Sequence, residues 1–118
     1  MSNSVVHDKD VVPMSGDVND HQFAGSGVCL IPDAAGYKFT GIDGLGIAQE
    51  GQEIVIANCG TFTVTLANDD AGSAVGNRIL TANGADILLS PLGTPGGTTM
   101  VWCVYSQSFG LLGWWAQP

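Results

Sequence analysis

Apolar and polar residues alternate with a period of two through residues 61–67, where threonines occupy one side of the chain. The opposite side carries three apolar residues: Phe62, Val64 and Leu66. This alternation, together with the β-branched residues in it, predicts a half-buried strand. Turn-forming Gly, Asn and Asp residues bound the run, and a second apolar run follows at 87–89. The region from 58 to 89 is therefore predicted to consist of strands and tight turns.

Short apolar runs bounded by turn residues recur along the rest of the chain, and each predicts a further strand. They lie at residues 28–31, 37–42, 53–57, 100–105 and 110–115. Residues 58–60 are few enough to join two of these strands in a hairpin. The run at 100–105 is apolar on both faces, which is typical of a central strand, and we expect Trp102 in its middle to lie in the core.

No segment keeps apolar residues at helical spacing through ten positions, and residues 72–76 could form one helical turn at most. The chain is therefore predicted to be all-β, a compact β-sandwich or jelly-roll-like domain over residues 25–118. Residues 1–24 show no sustained period, and their one apolar cluster is Val11-Val12-Pro13. We interpret residues 1–24 as an extended N-terminal arm that orders on a neighbouring subunit, with a disordered tail as the alternative.

Charged residues make up only 12% of the chain, against about 25% in typical globular domains. We therefore expect copies of the chain or a partner to cover part of its neutral surface; a monomer coated with Thr, Ser and Asn is the alternative. Three cations against eleven acids give a net charge of −8, which disfavours nucleic acid and anionic membrane as partners. No run approaches a membrane span or a signal peptide, so assembly in a cytoplasm is expected.

Candidates for catalysis and metal binding are few. The cysteines Cys29, Cys59 and Cys103 lie in apolar contexts without zinc spacing, so they are predicted to be small buried residues. Asp69 and Asp70 could offer oxygen ligands to calcium, but they lack the ligand ladder of an EF-hand loop, and turn capping is the favoured interpretation. We predict no catalytic residue, no cofactor and no metal, and we do not expect an enzyme.

Two sets of residues are predicted to form structural contacts. Arg78 is the sole arginine, and we expect it to form a fixed ion pair with an acid and to bind backbone carbonyls. The candidate acids are Asp69, Asp70 and Asp86. If the pair is buried, truncating Arg78 would cost about 3–5 kcal/mol.

The consecutive residues Trp114 and Trp115 point to opposite faces of a strand, so at most one of them can line the core. The other is predicted at an interface, where tryptophan is enriched. The predicted set of residues at an interface with other subunits or a docking partner is Val11, Val12, Pro13, Trp114 and Trp115.

Several short motifs follow one another in a defined order over about two-thirds of the chain. They are a Thr-Gly-Ile turn at 40–42, a strand ending at Asn58, an Asn-Arg-Ile step at 77–79, a Gly-Ala-Asp strand at 84–86 and a closing aromatic segment with Tyr105. Residues 39, 51–57, 66, 73, 81, 89 and 91 extend the match. This order resembles a β-rich module found in structural proteins of tailed bacteriophages.

The resemblance implies a trimeric virion part, either a capsid decoration (cement) protein or the head of a tail fibre. Because only a short segment precedes the module, we expect a decoration protein that binds the major capsid protein as a homotrimer on the outside of the assembled shell. Such a protein stabilises the lattice by linkage and through several weak contacts acting together. The alternative is a receptor-binding head that recognises a host-surface glycan. The implied location is the capsid surface, after assembly in the host cytoplasm.

Overall fold

The computed structural model describes residues 9–22, 27–43, 50–107 and 112–117. These residues form eleven strands and no helix. The strands are β1 (Lys9–Met14), β2 (His21–Gln22), β3 (Gly27–Pro32), β4 (Lys38–Phe39), β5 (Ile42–Asp43), β6 (Glu53–Asn58), β7 (Val64–Leu66), β8 (Ile79–Thr81), β9 (Ile87–Leu89), β10 (Met100–Ser106) and β11 (Gly113–Gln117). The all-β prediction is confirmed for this part of the chain.

Six of these strands form the large sheet, in the order β1-β3-β6-β10-β11-β8. β1, β3 and β6 run parallel, β10 is antiparallel to both of its neighbours, and β11 runs parallel to β8. A second sheet has the order β4-β7-β9, and β2 pairs with β5. β10 thus has the predicted central position. The jelly-roll topology is not confirmed, because a jelly roll is built from antiparallel strands.

One hydrophobic core is shared by the sheets. Along β6 and β10 the residues that point inward are buried, because alternate side chains of a strand lie on opposite faces. These residues are Ile54, Ile56, Val101 and Cys103. The shorter strands contribute Phe39, Ile42, Val64, Leu66 and Leu89 to the same core. Burial of this single core is the main term that stabilises the domain.

The chain passes at Asn58 from β6 in the large sheet to β7 in the second sheet. Because β6 and β7 do not pair with each other, the predicted hairpin at 58–60 is wrong. The buried side-chain amide of Asn58 donates hydrogen bonds to the carbonyl oxygens of Phe62 (2.7 Å) and Leu89 (2.8 Å). Its Oδ1 accepts from the N–H of Gly60 at 3.0 Å. These bonds satisfy backbone groups that a hairpin ladder would otherwise have paired.

Residues 9–22, part of the predicted arm, take part in this same fold. β1 pairs along its whole length with β3, and Val12 and Met14 belong to the core. These residues therefore find partners within their own chain and do not need a neighbouring subunit to order them. Residues 1–8 and 23–24 lie outside the described residues, so the division of the chain at residue 24 stays a prediction.

Candidate docking surface

The large sheet has one face in the core and one face without a second layer among the described residues. Most outward positions of its strands are apolar, and we call these apolar residues together the outer face. The outer face consists of Val11, Pro13, Cys29, Ile31, Val55, Ala57, Leu80, Met100, Trp102, Val104 and Trp115. A contiguous apolar surface of this kind marks a place of interaction.

Strand register places two strongly exposed apolar side chains of the outer face, those of Trp102 and Met100, on the inner strand β10. Trp102 stands between Val55 and Gln117, and Met100 stands beside Ala57 in the neighbouring row. Trp102 is 52% exposed and Met100 is 48% exposed. Tryptophan and methionine are enriched in protein interfaces, and tryptophan at the centre of one contributes more than most residues.

The expectation that Trp102 lies in the core is wrong. β10 is apolar on both sides, and the side that faces the core carries the smaller residues Val101 and Cys103. Trp102 therefore points outward. The core tryptophan is Trp114, which has no exposed surface and whose Nε1 donates to the carbonyl of Ile42 at 3.0 Å.

Trp115, next along β11, points to the outer face and is half-buried beside Val104 and Leu80. The predicted opposite orientation of the two consecutive tryptophans is confirmed. The Nε1 of Trp115 is buried and has no hydrogen-bond partner among the described residues.

The residues predicted for an interface divide between the two faces of the large sheet. Val11, Pro13 and Trp115 lie on the outer face, whereas Val12 and Trp114 are buried in the core. Val12 and Trp114 are therefore not accessible to a partner of the folded chain. Only the outward members of the predicted set remain candidates for docking.

The edge of the large sheet at β8 is closed by the rest of the chain. The N–H of Ile79 donates to the carbonyl of Thr40 at 3.2 Å, and the N–H of Asp69 donates to the carbonyl of Ile79 at 2.8 Å. The N–H of Thr81 donates to Oδ1 of Asn68 at 2.8 Å. This edge has few backbone groups left to pair with another chain.

The opposite edge, at β1, is blunted by proline. The carbonyl of Met14 accepts from Asp33 at 2.9 Å, so Met14 and its alternate residues direct their backbone groups towards β3. Lys9, Val11 and Pro13 direct theirs away from the sheet, and Pro13 has no N–H to donate. Proline and lysine at a free edge hinder strand addition. The outer face, rather than either edge, is the surface suited to docking.

Charge is distributed unevenly around the fold. On the outward positions of the large sheet, the described charged residues are Lys9 and Glu53, which stand on different strands. Exposed carboxylates such as those of Asp33, Asp69 and Asp86 lie elsewhere. A second acidic molecule therefore meets the least repulsion at the outer face.

A network of polar side chains around Ser73 joins three segments of the chain. The hydroxyls of Ser73 and Thr40 lie 2.7 Å apart, and Ser73 Oγ accepts from the N–H of Asp20 at 2.9 Å. The side-chain amide of Asn77 donates to Oδ1 of Asp20 at 2.9 Å. This bond, followed by one from the N–H of Ala74, lowers the pKa of Asp20. Because its members bond one another, we interpret the network as structural.

Arg78 borders this network and pairs with Asp69, one of the three candidate acids. Its Nη1 lies 3.2 Å from Oδ1 of Asp69, and its Nε donates to the carbonyl of Ser73 at 2.9 Å. Asp70 instead lies 3.7 Å from Lys38 Nζ and accepts from the N–H of Gly72, which makes it a turn cap. The third candidate, Asp86, accepts from the N–H of Asn68 at 2.8 Å.

Replacing Arg78 with alanine is expected to cost about 1–2 kcal/mol, because the side chain of Asp69 is 59% exposed and such pairs contribute about 0–1 kcal/mol. The lost bond to the Ser73 carbonyl accounts for the rest. Urea unfolding of Arg78→Ala beside Asp69→Asn measures this. Asp69→Asn keeps an acceptor oxygen and should lose less; an equal or larger loss in Asp69→Asn would contradict the assignment.

Two of the cysteines, Cys59 and Cys103, have raised pKa values. Burial raises the pKa of Cys103 to about 12. Burial, followed by a hydrogen bond with the thiol of Cys29, raises the pKa of Cys59 to about 11. Since the thiolate is the reactive form, a raised pKa suppresses reactivity. Cys103 is buried as predicted, whereas Cys29 and Cys59 are half-buried.

Neither a metal site nor a membrane-spanning helix is found in the part of the chain that the structure describes. No group of three or more His, Cys, Asp or Glu side chains there is arranged to hold an ion. The same residues include no helix of the length and apolar character that crossing a bilayer requires.

Comparison with known proteins found no matching family model, no matching curated protein and no matching solved structure. The residues of the chain itself are therefore the basis for assigning its function.

Proposed function

We propose that this chain is a non-enzymatic structural protein of a tailed-phage virion, a capsid decoration protein that binds the assembled shell as a homotrimer. The observation that carries the proposal is the outer face, which no second layer covers among the described residues and on which Trp102 is 52% exposed. A surface of this kind suits a protein whose role is docking. The choice of a phage structural protein rests on the order of short motifs along the sequence, which resembles that of the bacteriophage module.

The acidic remainder of the surface suits the second contact that a decoration protein needs. Exposed carboxylates lie away from the outer face, and the chain carries a net charge of −8. These carboxylates would meet a basic patch on the outside of a shell and would be repelled by packaged DNA. A trimer repeats each weak contact three times, so its affinity for the lattice exceeds that of one chain.

The test is to add the purified protein to undecorated shells of the tailed phage that encodes it and to image them. We expect ordered density at threefold or quasi-threefold positions and shells that withstand greater heat, because a ligand of the assembled lattice stabilises it. Shells already carrying their decoration protein are the control. Absence of both density and co-sedimentation at low salt would overturn the proposal.

One observation favours a second candidate, a fibre head that binds glycan. The exposed indole of Trp102 stands beside Gln117, and this pair offers an apolar platform with an amide next to it, a combination that suits a sugar ring. Binding on a glycan array that is lost in Trp102→Ala, together with no binding to shells, would favour this candidate. Shell binding without glycan binding would exclude it.

A further inference from the structure

We propose that the outer face packs against further copies of this chain, with Trp102 and Met100 in the middle of the contact. The inference takes from the proposed function the expectation that copies associate, and it names the surface through which they do so. The shell contact is thereby left to the acidic part of the molecule.

The first reason for placing the contact on the outer face is that the other surfaces of the large sheet are closed. Its inward face is filled by the core, the β8 edge is bonded to Thr40 and Asn68, and the β1 edge carries Pro13. Strand addition, by which the sheets of separate chains can join edge to edge, is thus hindered at both edges. The arrangement that remains is packing of the outer face of one chain on that of another.

Size is the second reason. Six strands spaced about 4.8 Å apart span about 24 Å, and a seven-residue strand such as β10 is about 20 Å long. The outer face therefore covers on the order of 400 Å² in projection, and more once its side chains are followed. A standard interface buries about 800 Å² on each partner. In projection the face is about half that size, and the relief of its side chains brings it closer to what a stable association buries.

Charge is the third reason and favours a second copy over a basic partner. Two molecules that each carry a net charge of −8 repel one another wherever their carboxylates meet. Among the outward positions beside the outer face, Lys9 balances Glu53, so copies can approach there without net repulsion. A basic partner would gain little from so neutral a surface and would bind the acidic part instead.

The experiment measures the mass of the isolated protein by light scattering and sedimentation over a range of concentrations. We expect a mass of about two or three times the 12.1 kDa of one chain, because identical subunits usually form small closed assemblies such as dimers and trimers. Trp102→Glu should shift the mass to that of one chain. The matched control is Leu88→Glu, which places the same charge on β9 at an exposed leucine outside the outer face.

Circular dichroism would show whether each variant is folded, and Met100→Glu would replace Trp102→Glu if the latter failed to fold. A parent that stays a monomer at every concentration overturns the inference. So does an oligomer that survives folded Trp102→Glu or Met100→Glu, or that Leu88→Glu disrupts equally. An oligomer that does not bind shells would instead overturn the proposed role at the shell and leave this inference standing. A monomer that binds shells would overturn this inference and the homotrimer, and would leave the binding to shells standing.

Discussion

Gly41→Ala should lower the free energy of unfolding by about 3 kcal/mol, the upper part of the range for overpacking. A Cβ at Gly41 would stand 2.5 Å from Ser73 Oγ and 2.7 Å from Ser73 Cβ, and closer still to the carbonyl oxygen of Asn77. That carbonyl already accepts a hydrogen bond from the N–H of Ile42 at 2.7 Å. The segments that carry Gly41, Ser73 and Asn77 must therefore move apart to admit one methyl group.

The clash also reaches the network around Ser73, because the Ser73 and Thr40 hydroxyls are neighbours of Gly41. Displacing Ser73 would weaken its bond from the N–H of Asp20. For a domain of this size we expect a drop of about 10 °C in Tm. Thermal and urea unfolding, both followed by circular dichroism, would measure the two quantities.

Gly27→Ala is the matched control. Gly27 lies in β3, and an added Cβ there would meet only the carbonyl oxygen of Val55, at 3.9 Å. The two substitutions change the unfolded chain alike, so the difference between the variants reports the clash. We expect Gly27→Ala to stay within about 0.5 kcal/mol of the parent. Equal melting of the two variants would show that the chain does not pass tightly beside Ser73 and Asn77.

Trp114→Ala is expected to cost about 3–5 kcal/mol, since it deletes the largest fully buried side chain among the residues that the structure describes. The indole packs against Tyr105 with ring centres 5.0 Å apart. Its loss leaves a cavity and also leaves the carbonyl of Ile42 without the indole donor. A loss of this size is a large share of the 5–15 kcal/mol typical of a small domain.

Trp114→Phe separates the two contributions and covers the case in which the alanine variant does not fold. Phenylalanine keeps a ring beside Tyr105 but cannot donate to Ile42, so we expect a loss of about 1–3 kcal/mol. Trp102→Ala is the matched control, and in dilute solution it should cost less than about 1 kcal/mol because its side chain is half exposed. Urea unfolding followed by circular dichroism ranks the three variants. A larger loss in Trp102→Ala than in Trp114→Ala would contradict the assignment of the two faces.

Much of the strand content could be predicted from the sequence, because apolar runs bounded by turn residues identify strands such as β3, β6 and β10. The sequence also predicted that Trp114 and Trp115 lie on opposite faces of the sheet, since neighbours on a strand point to opposite faces. The outward position of Trp102 could not be predicted from the sequence. Both sides of β10 are apolar, so the period of two could not decide which side faces the core.

Pairing between distant strands was also beyond the sequence. β1 was missed because Pro13 interrupts a weak alternation, yet β3 pairs with it in parallel along its full length. The crossover at Asn58 was taken for a hairpin because short connections favour hairpins. Its true course depends on bonds to Phe62 and Leu89, and the latter lies 31 residues further along the chain.

The outer face escaped sequence reasoning because each strand contributes only one to three of its residues. A signal was nevertheless available. A run that is apolar on both faces, such as 100–105, normally has helices to cover its second face. A chain with no predicted helix leaves that face to a partner.

β11 is the last described strand to leave the ribosome, yet it lies between β10 and β8 within the large sheet. Until residues 113–117 emerge, the nascent chain presents two unpaired strand edges to its surroundings. The sheet is therefore completed only after residues 113–117 have been synthesised, and its distant pairings make that step slow. A product truncated before residue 113 would keep both of these edges unpaired and would be prone to aggregate, so synthesis through residue 117 protects this chain from aggregation.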